Sequence, residues 1–193
     1  MKLLLKAMGF MLFLSMICTE GLLLMQGRGQ EAIPLHLCSL SAICALAAAW
    51  GSVCQDVMDY LWYIGLPGAV LALIFPAPAQ SAFQWLFSTS YMVTHIMIVL
   101  IVAAAMYSGK RPRTGRTAQM MLLLQGIAFT AFLVNEALGT NFLFLHAPPA
   151  GSPLVTVYGW GYPAYVLSLE GIMLSLCLVQ SIMLSTIVRR GRN

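Results

Sequence analysis

The sequence has few charged residues for its length: Lys, Arg, Asp and Glu together make up 8% of 193 residues. Hydrophobic residues make up 60%, and the mean hydropathy is +0.86. A water-soluble core of this size does not need so much apolar surface, so the composition indicates an integral membrane protein. A bilayer core takes about 20 apolar residues per helix, which leaves room for about six spans, short loops and no second domain.

Several recognisable sites are also missing. The five cysteines form no C-x-x-C pair, which excludes a zinc ribbon and argues against a disulfide framework. There is no phosphate-binding loop, no G-x-S-x-G elbow and no H-E-x-x-H motif. His36-x-Cys38 lacks the usual spacing of metal ligands, and a haem clamp from His36 and His95 is a weak alternative. We therefore expect no metal and no cofactor.

Six apolar segments predict an all-α, polytopic membrane bundle that forms a single domain over residues 1–193. The predicted spans cover residues 3–25, 33–50, 57–75, 88–107, 120–138 and 160–188. The first resembles a signal peptide, but its apolar run is longer than usual and no A-x-A site follows, so we expect it to be retained. Pro67-Gly68 predicts a kink in the third span. Residues 141–158 contain three prolines and predict a structured loop or a re-entrant segment.

The basic residues predict the orientation. With six spans, nine of the ten Lys and Arg residues fall on one side, and only Arg28 falls on the other. Since cytoplasmic loops carry the excess of Lys and Arg, both termini are predicted to be cytoplasmic, in the cell membrane. The pI near 8.9 therefore reflects topology, and no nucleic-acid partner is expected. The nine are Lys2, Lys6, Lys110, Arg111, Arg113, Arg116, Arg189, Arg190 and Arg192.

Ionisable residues inside apolar segments are costly in lipid, so each one is a functional candidate. With a rise of about 1.5 Å per residue, Cys38 is predicted roughly 8 Å and His95 about 10 Å below the outer surface. Most of the other candidates lie in the same outer half, and one lies near the middle of the membrane. Those other candidates are Glu20, His36, Glu136, Glu170 and the loop residue Asn141.

Cys38 and His95 have the chemistry of a nucleophile and its base. An imidazole can take the proton of a thiol, and the thiolate then attacks a carbonyl to form a thioester. Pro34 suits the start of a helix, whose positive dipole end favours a thiolate at Cys38. Tyr91 lies one turn before His95 and is predicted to orient its ring.

Other interpretations of the polar residues stay open. Glu20, Glu136 and Glu170 are also typical of proton or cation sites in a small transporter, or of helix–helix contacts in a lipid-binding membrane protein. Asp56 and Asp59 are predicted to be solvated. His146 is predicted to be a loop residue, and structural roles are expected for the remaining cysteines, Cys18, Cys44, Cys54 and Cys177.

Four sequence pieces resemble the YwaF-like integral membrane proteins. Residues 34–39, PLHLCS, are similar to the LPLHLC signature of that family. Further similarity lies in His95, in Asn141-Phe142-Leu143-Phe144-Leu145 followed by Pro148 and Pro149, and in residues 161–165, GYPAY. The resemblance covers most of the chain from about Glu20 onward. The family usually has Tyr where this chain has Phe142.

The resemblance implies a function in lipid metabolism, because YwaF-like proteins are bacterial relatives of a eukaryotic acyltransferase of ether phospholipids. It implies that Cys38 is the acyl-accepting nucleophile, that His95 is its partner, and that Asn141 orients the site or stabilises the oxyanion. The supporting residues would be His36, Tyr91, Glu20 and Glu170. The expected partner is a membrane phospholipid or lysophospholipid. No soluble cofactor is then needed, and the sequence specifies no oligomeric state.

Overall fold

A computed structural model describes residues 1–51, 53–76 and 83–190, with Arg190 described by its backbone alone. The described residues form helices and contain no strand, which confirms the predicted all-α bundle. Two short 3₁₀ turns, Gly29–Ala32 and Phe142–Phe144, lie between helices. The helices are α1 Lys2–Met25, α2 Leu37–Trp50, α3 Gln55–Ile74, α4 Gln84–Tyr107, α5 Thr117–Leu138, α6 Leu154–Tyr158 and α7 Tyr162–Arg190.

Five of these helices, α1, α3, α4, α5 and α7, are long and apolar enough to cross a membrane. The second predicted span, residues 33–50, is shorter than expected, because α2 has 14 residues and is about 21 Å long, against a bilayer core of about 30 Å. The prediction that it begins near Ile33 was wrong. Pro34 disfavours helical backbone at Ile33, which is extended, and His36 is extended as well.

Helices α1 and α2 pack closely and antiparallel. The Trp50 indole nitrogen at the end of α2 donates a hydrogen bond to the Lys6 carbonyl near the start of α1, at 3.3 Å. One turn along α1, an added Cβ on Gly9 would lie 2.8 Å from the Cβ of Ala49. Small residues let helix backbones approach in this way in membrane proteins. The pair places the first turn of α2 beside the last third of α1.

A buried carboxylate fixes the end of the bundle where α1 begins. Asp59 on α3 has a side chain that is 0% exposed, and it accepts hydrogen bonds from the backbone and the side chain of Arg113, both at 2.7 Å. The prediction that Asp59 is solvated was therefore wrong, whereas Asp56 is 80% exposed and pairs with the same arginine. The basic loop between α4 and α5 is thus held at the same end as Lys6.

Helix α3 is irregular where the sequence predicted a kink. Residues Leu61–Gly65 form a π-helical segment immediately before Pro67. Proline has no N–H to give the carbonyl four residues earlier, which belongs to Tyr63. The Cys177 thiol on α7 donates to that carbonyl at 3.2 Å. This contact joins α7 to α3 and gives Cys177 the structural role that we expected.

Candidate functional site on the first turn of α2

Cys38 is the second residue of α2, and His36 is the residue that caps the helix start. The backbone N–H groups of a first helical turn have no partner within the helix, so this position favours a negative charge. The Cys38 thiol is partly buried and interacts electrostatically with the Glu20 carboxyl on α1. The helix start therefore favours a thiolate at Cys38, whereas a negative charge on Glu20 opposes it.

A tyrosine hydroxyl reaches the same turn from α3. The Tyr60 hydroxyl lies 3.2 Å from Ser41 Oγ and 3.5 Å from the carbonyl of Leu37, the residue before Cys38. Tyr60 and Ser41 are both buried. Sequence reasoning missed both residues, because nothing local in the sequence shows that the Tyr60 side chain reaches the first turn of α2.

His95 is 1% exposed, and one hydrogen bond determines which of its ring nitrogens carries the hydrogen. Its Nδ1 atom lies 2.6 Å from the backbone carbonyl of Tyr91. A carbonyl only accepts hydrogen bonds, so Nδ1 carries the hydrogen, and in the neutral ring Nε2 is the proton acceptor. Nε2 is buried and has no hydrogen-bond partner among the described residues. The Tyr91 ring also packs on the imidazole, with centroids 4.2 Å apart.

Cys38 and His95 differ in height along the bundle, by an amount that the contacts between helices allow us to estimate. From the level shared by Trp50 and Lys6, Cys38 is about 18 Å away along α2. Ser15, whose hydroxyl lies 2.9 Å from that of Thr94 on α4, is about 13 Å away along α1. His95 follows Thr94 on α4, which runs toward the Lys6 end, so His95 lies about 6 Å nearer that end than Cys38 does. No hydrogen bond joins them, since Nε2 is unpartnered within the described chain.

The turn Phe142–Phe144 covers the approach to α2. The His36 ring packs edge-on against Phe142, with centroids 5.1 Å apart, and against Phe144 at 5.5 Å. His36 lies outside the spanning helices, and burial lowers its pKa more than the nearby Glu31 carboxylate raises it. A neutral imidazole between two phenyl rings is therefore part of the wall next to Cys38.

This turn has an uncommon backbone. Leu143 and Phe144 have φ angles of 57° and 56°, in the left-handed region that residues other than glycine rarely adopt. Buried Asn135 holds the turn, because its Oδ1 accepts from the Phe142 N–H at 2.7 Å and its Nδ2 donates to the Phe142 carbonyl at 3.0 Å. The Tyr165 hydroxyl donates to the Phe144 carbonyl. Such strain persists only where the surroundings impose it, which is common at functional sites.

A family comparison agrees with this membrane architecture. The family model of TMEM164 matches residues 1–181, which is almost the whole chain. The chain belongs to the TMEM164 family. None of the curated proteins and none of the solved structures matches it. The resemblance to YwaF-like proteins, and the acyltransferase activity that it implies, stay predictions for this TMEM164-family protein.

Asn141 organises the loop that follows the strained turn. Its Oδ1 accepts hydrogen bonds from the N–H groups of His146 and Ala147, and its Nδ2 donates to the Ala147 carbonyl at 2.9 Å. One Nδ2 hydrogen is left over, because a side-chain amide has two. In this TMEM164-family protein Asn141 thus orients the loop, and its contribution to an oxyanion site stays a prediction.

The membrane glutamates have three separate environments. One carboxyl oxygen of Glu20 is buried without a partner in the described chain. Glu136 lies 3.1 Å from His146 Nε2, although the two atoms are not aligned as a hydrogen bond. Glu170 accepts a hydrogen bond from the Gln125 side chain at 2.6 Å. Of these three glutamates, Glu20 is the one that interacts electrostatically with the Cys38 thiol in the described chain. Within the described ranges, no three His, Cys, Asp or Glu side chains cluster as metal ligands.

Proposed function

We propose that this protein is a membrane acyltransferase that moves an acyl chain between membrane lipids through a thioester on Cys38. The observation that carries the proposal is the free Nε2 atom of His95. A buried polar atom without a partner is uncommon and needs a reason, and a proton-accepting role supplies one. His95 lies about 6 Å in height from the thiol at the start of α2.

The reaction balances with groups of this chain alone. His95 Nε2 takes the thiol proton of Cys38, directly or through one water, since hydrogen bonds in a site without substrate are often loose. The sulfur attacks the ester carbonyl of a phospholipid, an S–C bond forms and the ester C–O bond breaks. The leaving lysophospholipid oxygen takes the proton from His95. A hydroxyl of a second lipid then repeats the sequence in reverse and releases the Cys38 thiol.

Two features support transition-state stabilisation at this turn. The N–H groups at a helix start favour negative charge nearby, so those of α2 would stabilise a thiolate or a developing oxyanion at Cys38. The free Nδ2 hydrogen of Asn141 would supply a further donor if the loop closes on the substrate. Glu20 is a second proton acceptor near Cys38, and a Glu20→Gln variant separates its role from that of His95.

The test is acyl transfer by purified protein in lipid nanodiscs. Phosphatidylcholine with a deuterated acyl chain is incubated with a lysophospholipid, and the protein is analysed by mass spectrometry. We expect a hydroxylamine-sensitive acyl group on Cys38 and labelled product lipid. Cys38→Ala should abolish both, whereas Cys44→Ala, on the same helix and also partly buried, should retain both. Equal transfer in wild type and Cys38→Ala would rule out the assignment.

A transporter or lipid-binding role is the alternative, and it requires the glutamates to share a polar path. The separate environments of Glu136 and Glu170, next to His146 and Gln125, favour the acyltransferase instead. Proton-coupled flux in vesicles that is lost in Glu170→Gln, together with no Cys38 acylation, would favour the alternative.

We also propose that the end of the bundle where α1 begins faces the cytoplasm. That end holds Lys6, Lys110 and Arg113, and Arg28 lies at the opposite end, next to Glu31. Cytoplasmic ends of membrane proteins carry the excess of Lys and Arg. In intact cells a membrane-impermeant thiol reagent should label Arg28→Cys but not Lys110→Cys. The reverse labelling would invert the orientation.

A further inference from the structure

A groove with a volume of about 560 Å³ lies between the start of α2 and the side of α5. Leu35 and Leu40 form one wall, three residues before and two residues after Cys38. Leu122, Leu123 and Ile127 form the other wall. The groove is open on one side, and its lining is mainly hydrocarbon.

The groove opens sideways, toward the surface that a bilayer would cover. Leu122 is 74% exposed and Leu123 is 43% exposed, and both lie on α5, which is long and apolar enough to span a membrane. The solvent at such a surface is lipid hydrocarbon. The occupant with direct access is therefore a lipid chain from the membrane.

The length of the groove fits one acyl chain. It extends along α5 from Gln119 to Thr130, which corresponds to about 16 Å, or roughly half of a bilayer core of about 30 Å. One leaflet of hydrocarbon has the same thickness. The Thr130 hydroxyl donates to the Gly126 carbonyl at 2.9 Å, so this polar residue needs no partner from a ligand. Apart from Gln119 at one end, the wall therefore suits an apolar chain.

Gly126 keeps the middle of the groove open. A Cβ placed on this glycine would have no atom within 4 Å, so the missing side chain leaves space and not a close helix contact. A larger residue would enter the groove without displacing protein atoms.

We propose that this groove is a binding site for one fatty acyl chain of a membrane phospholipid, and that Gly126 permits the chain to extend along α5. The part of the inference that links the chain to Cys38 rests on the proposed function. Neither Cys38 nor His95 lines the groove, so the site holds the chain while the ester lies at the first turn of α2. Binding of the acyl chain in the groove can thus be tested separately from acyl transfer at Cys38.

Photo-crosslinking tests the site directly. Protein in nanodiscs that contain phosphatidylcholine with a diazirine on one acyl chain is irradiated, and the modified peptides are mapped. We expect several-fold enrichment of cross-links on residues 119–130 over the lipid-facing side of α1, in wild type and Cys38→Ala alike. Gly126→Leu should reduce that enrichment at least threefold.

Gly171→Leu is the matched control, because Gly171 is also a helical glycine with no atom near an added Cβ, and it lies on α7 outside the groove lining. It should leave the cross-links unchanged. If Gly126→Leu fails to fold, Leu123→Trp blocks the same space from the rim. Cross-links spread evenly over the lipid-facing helices, or unaffected by both plugs, would overturn the site. Groove-specific cross-links without any Cys38 acylation would reject the proposed function and leave the site intact.

Discussion

The backbone carbonyl of Tyr91 lies 2.6 Å from Nδ1 of His95 and so determines which ring nitrogen is free. Because this contact uses the main chain, it does not depend on the Tyr91 hydroxyl, which instead lies 3.5 Å from the Ala72 carbonyl. The Tyr91 carbonyl therefore holds the imidazole so that Nε2, the proton-accepting nitrogen, faces away from it. The chemistry proposed for Cys38 depends on that free nitrogen.

His95→Asn should slow thioester formation at Cys38 by about 10²- to 10⁴-fold, the usual contribution of a general base. The asparagine amide can still donate toward the Tyr91 carbonyl, but it has no nitrogen that accepts a proton. Rapid-quench mass spectrometry of Cys38 acylation measures the rate. Tyr91→Phe keeps both the carbonyl and the ring, so its rate should stay near that of wild type. An unchanged rate in His95→Asn would exclude His95 as the base.

The sequence was informative where a long apolar run or a single polar residue in lipid determines the free energy of the structure. Apolar runs predicted the five long helices, and the cost of a thiol or an imidazole in lipid marked Cys38 and His95. The apolar run predicted a helix start near Ile33. The helix begins at Leu37 instead, because Pro34 disfavours helical backbone at the residue before it. Asp59 was taken as solvated because its partner, Arg113, lies 54 positions away.

The missed site residues share one property. Tyr60, Ser41 and Asn135 are polar but uncharged, and residues of these types occur anywhere on a helix at little cost. Their importance comes from the hydrogen bonds that they make to other segments, to Ser41 and the α2 backbone for Tyr60 and to the Phe142 backbone for Asn135. Tyr165 was within reach of sequence reasoning, because it ends the GYPAY piece that resembled the YwaF-like pattern.

The pH dependence of stability should include a contribution from His36. Burial lowers its pKa below the ordinary value of about 6.5, so the unfolded chain binds a proton more readily than the native one. The stabilisation is complete above about pH 6.5 and is lost as the pH falls toward the native pKa. His36→Phe keeps a ring against Phe142 and should lose less stability between pH 7.5 and 5.5 than wild type. Parallel melting-temperature profiles would contradict this.

Asn135→Leu should unfold the strained turn over α2. The substitution leaves the Phe142 N–H and the Thr140 hydroxyl without their acceptor, at about 1–3 kcal/mol for each buried group. Thermal unfolding in detergent measures the loss, and Cys38 acylation should slow with it because the Phe142 ring leaves His36. Gln125→Leu removes an amide that is exposed on α5 and serves as the control. Equal stability of the two variants would show that Asn135 does not hold the turn.

Asp59→Asn should destabilise the bundle more than Asp56→Asn. Removing the charge from a fully buried carboxylate leaves Arg113 without its main partner, whereas the exposed Asp56 adds little. We expect the melting temperature of Asp59→Asn to fall by roughly 5 °C or more. A shift no larger than that of Asp56→Asn would mean that the buried pair does not order the loop between α4 and α5.

Gly9→Val should separate α1 from α2. The Cβ alone would lie 2.8 Å from the Ala49 Cβ and 3.0 Å from the Trp50 indole nitrogen, so the helices must move and the Trp50–Lys6 hydrogen bond is strained. Overpacking of this kind typically costs about 1–3 kcal/mol. The melting temperature should fall by about 2–4 °C for each kcal/mol, and Cys38 acylation should slow as α2 shifts relative to α4.

Gly21→Val on the same helix is the matched control for this prediction, because no atom lies within 4 Å of an added Cβ there. Its effect should be limited to helix propensity, in which valine is slightly better than glycine. Ala49→Gly in the Gly9→Val background removes the clashing Cβ and should restore part of the stability, so the two substitutions are coupled in a double-mutant cycle. Additive effects at Gly9 and Ala49, or equal losses in Gly9→Val and Gly21→Val, would show that close packing of α1 on α2 does not set the position of the Cys38 turn.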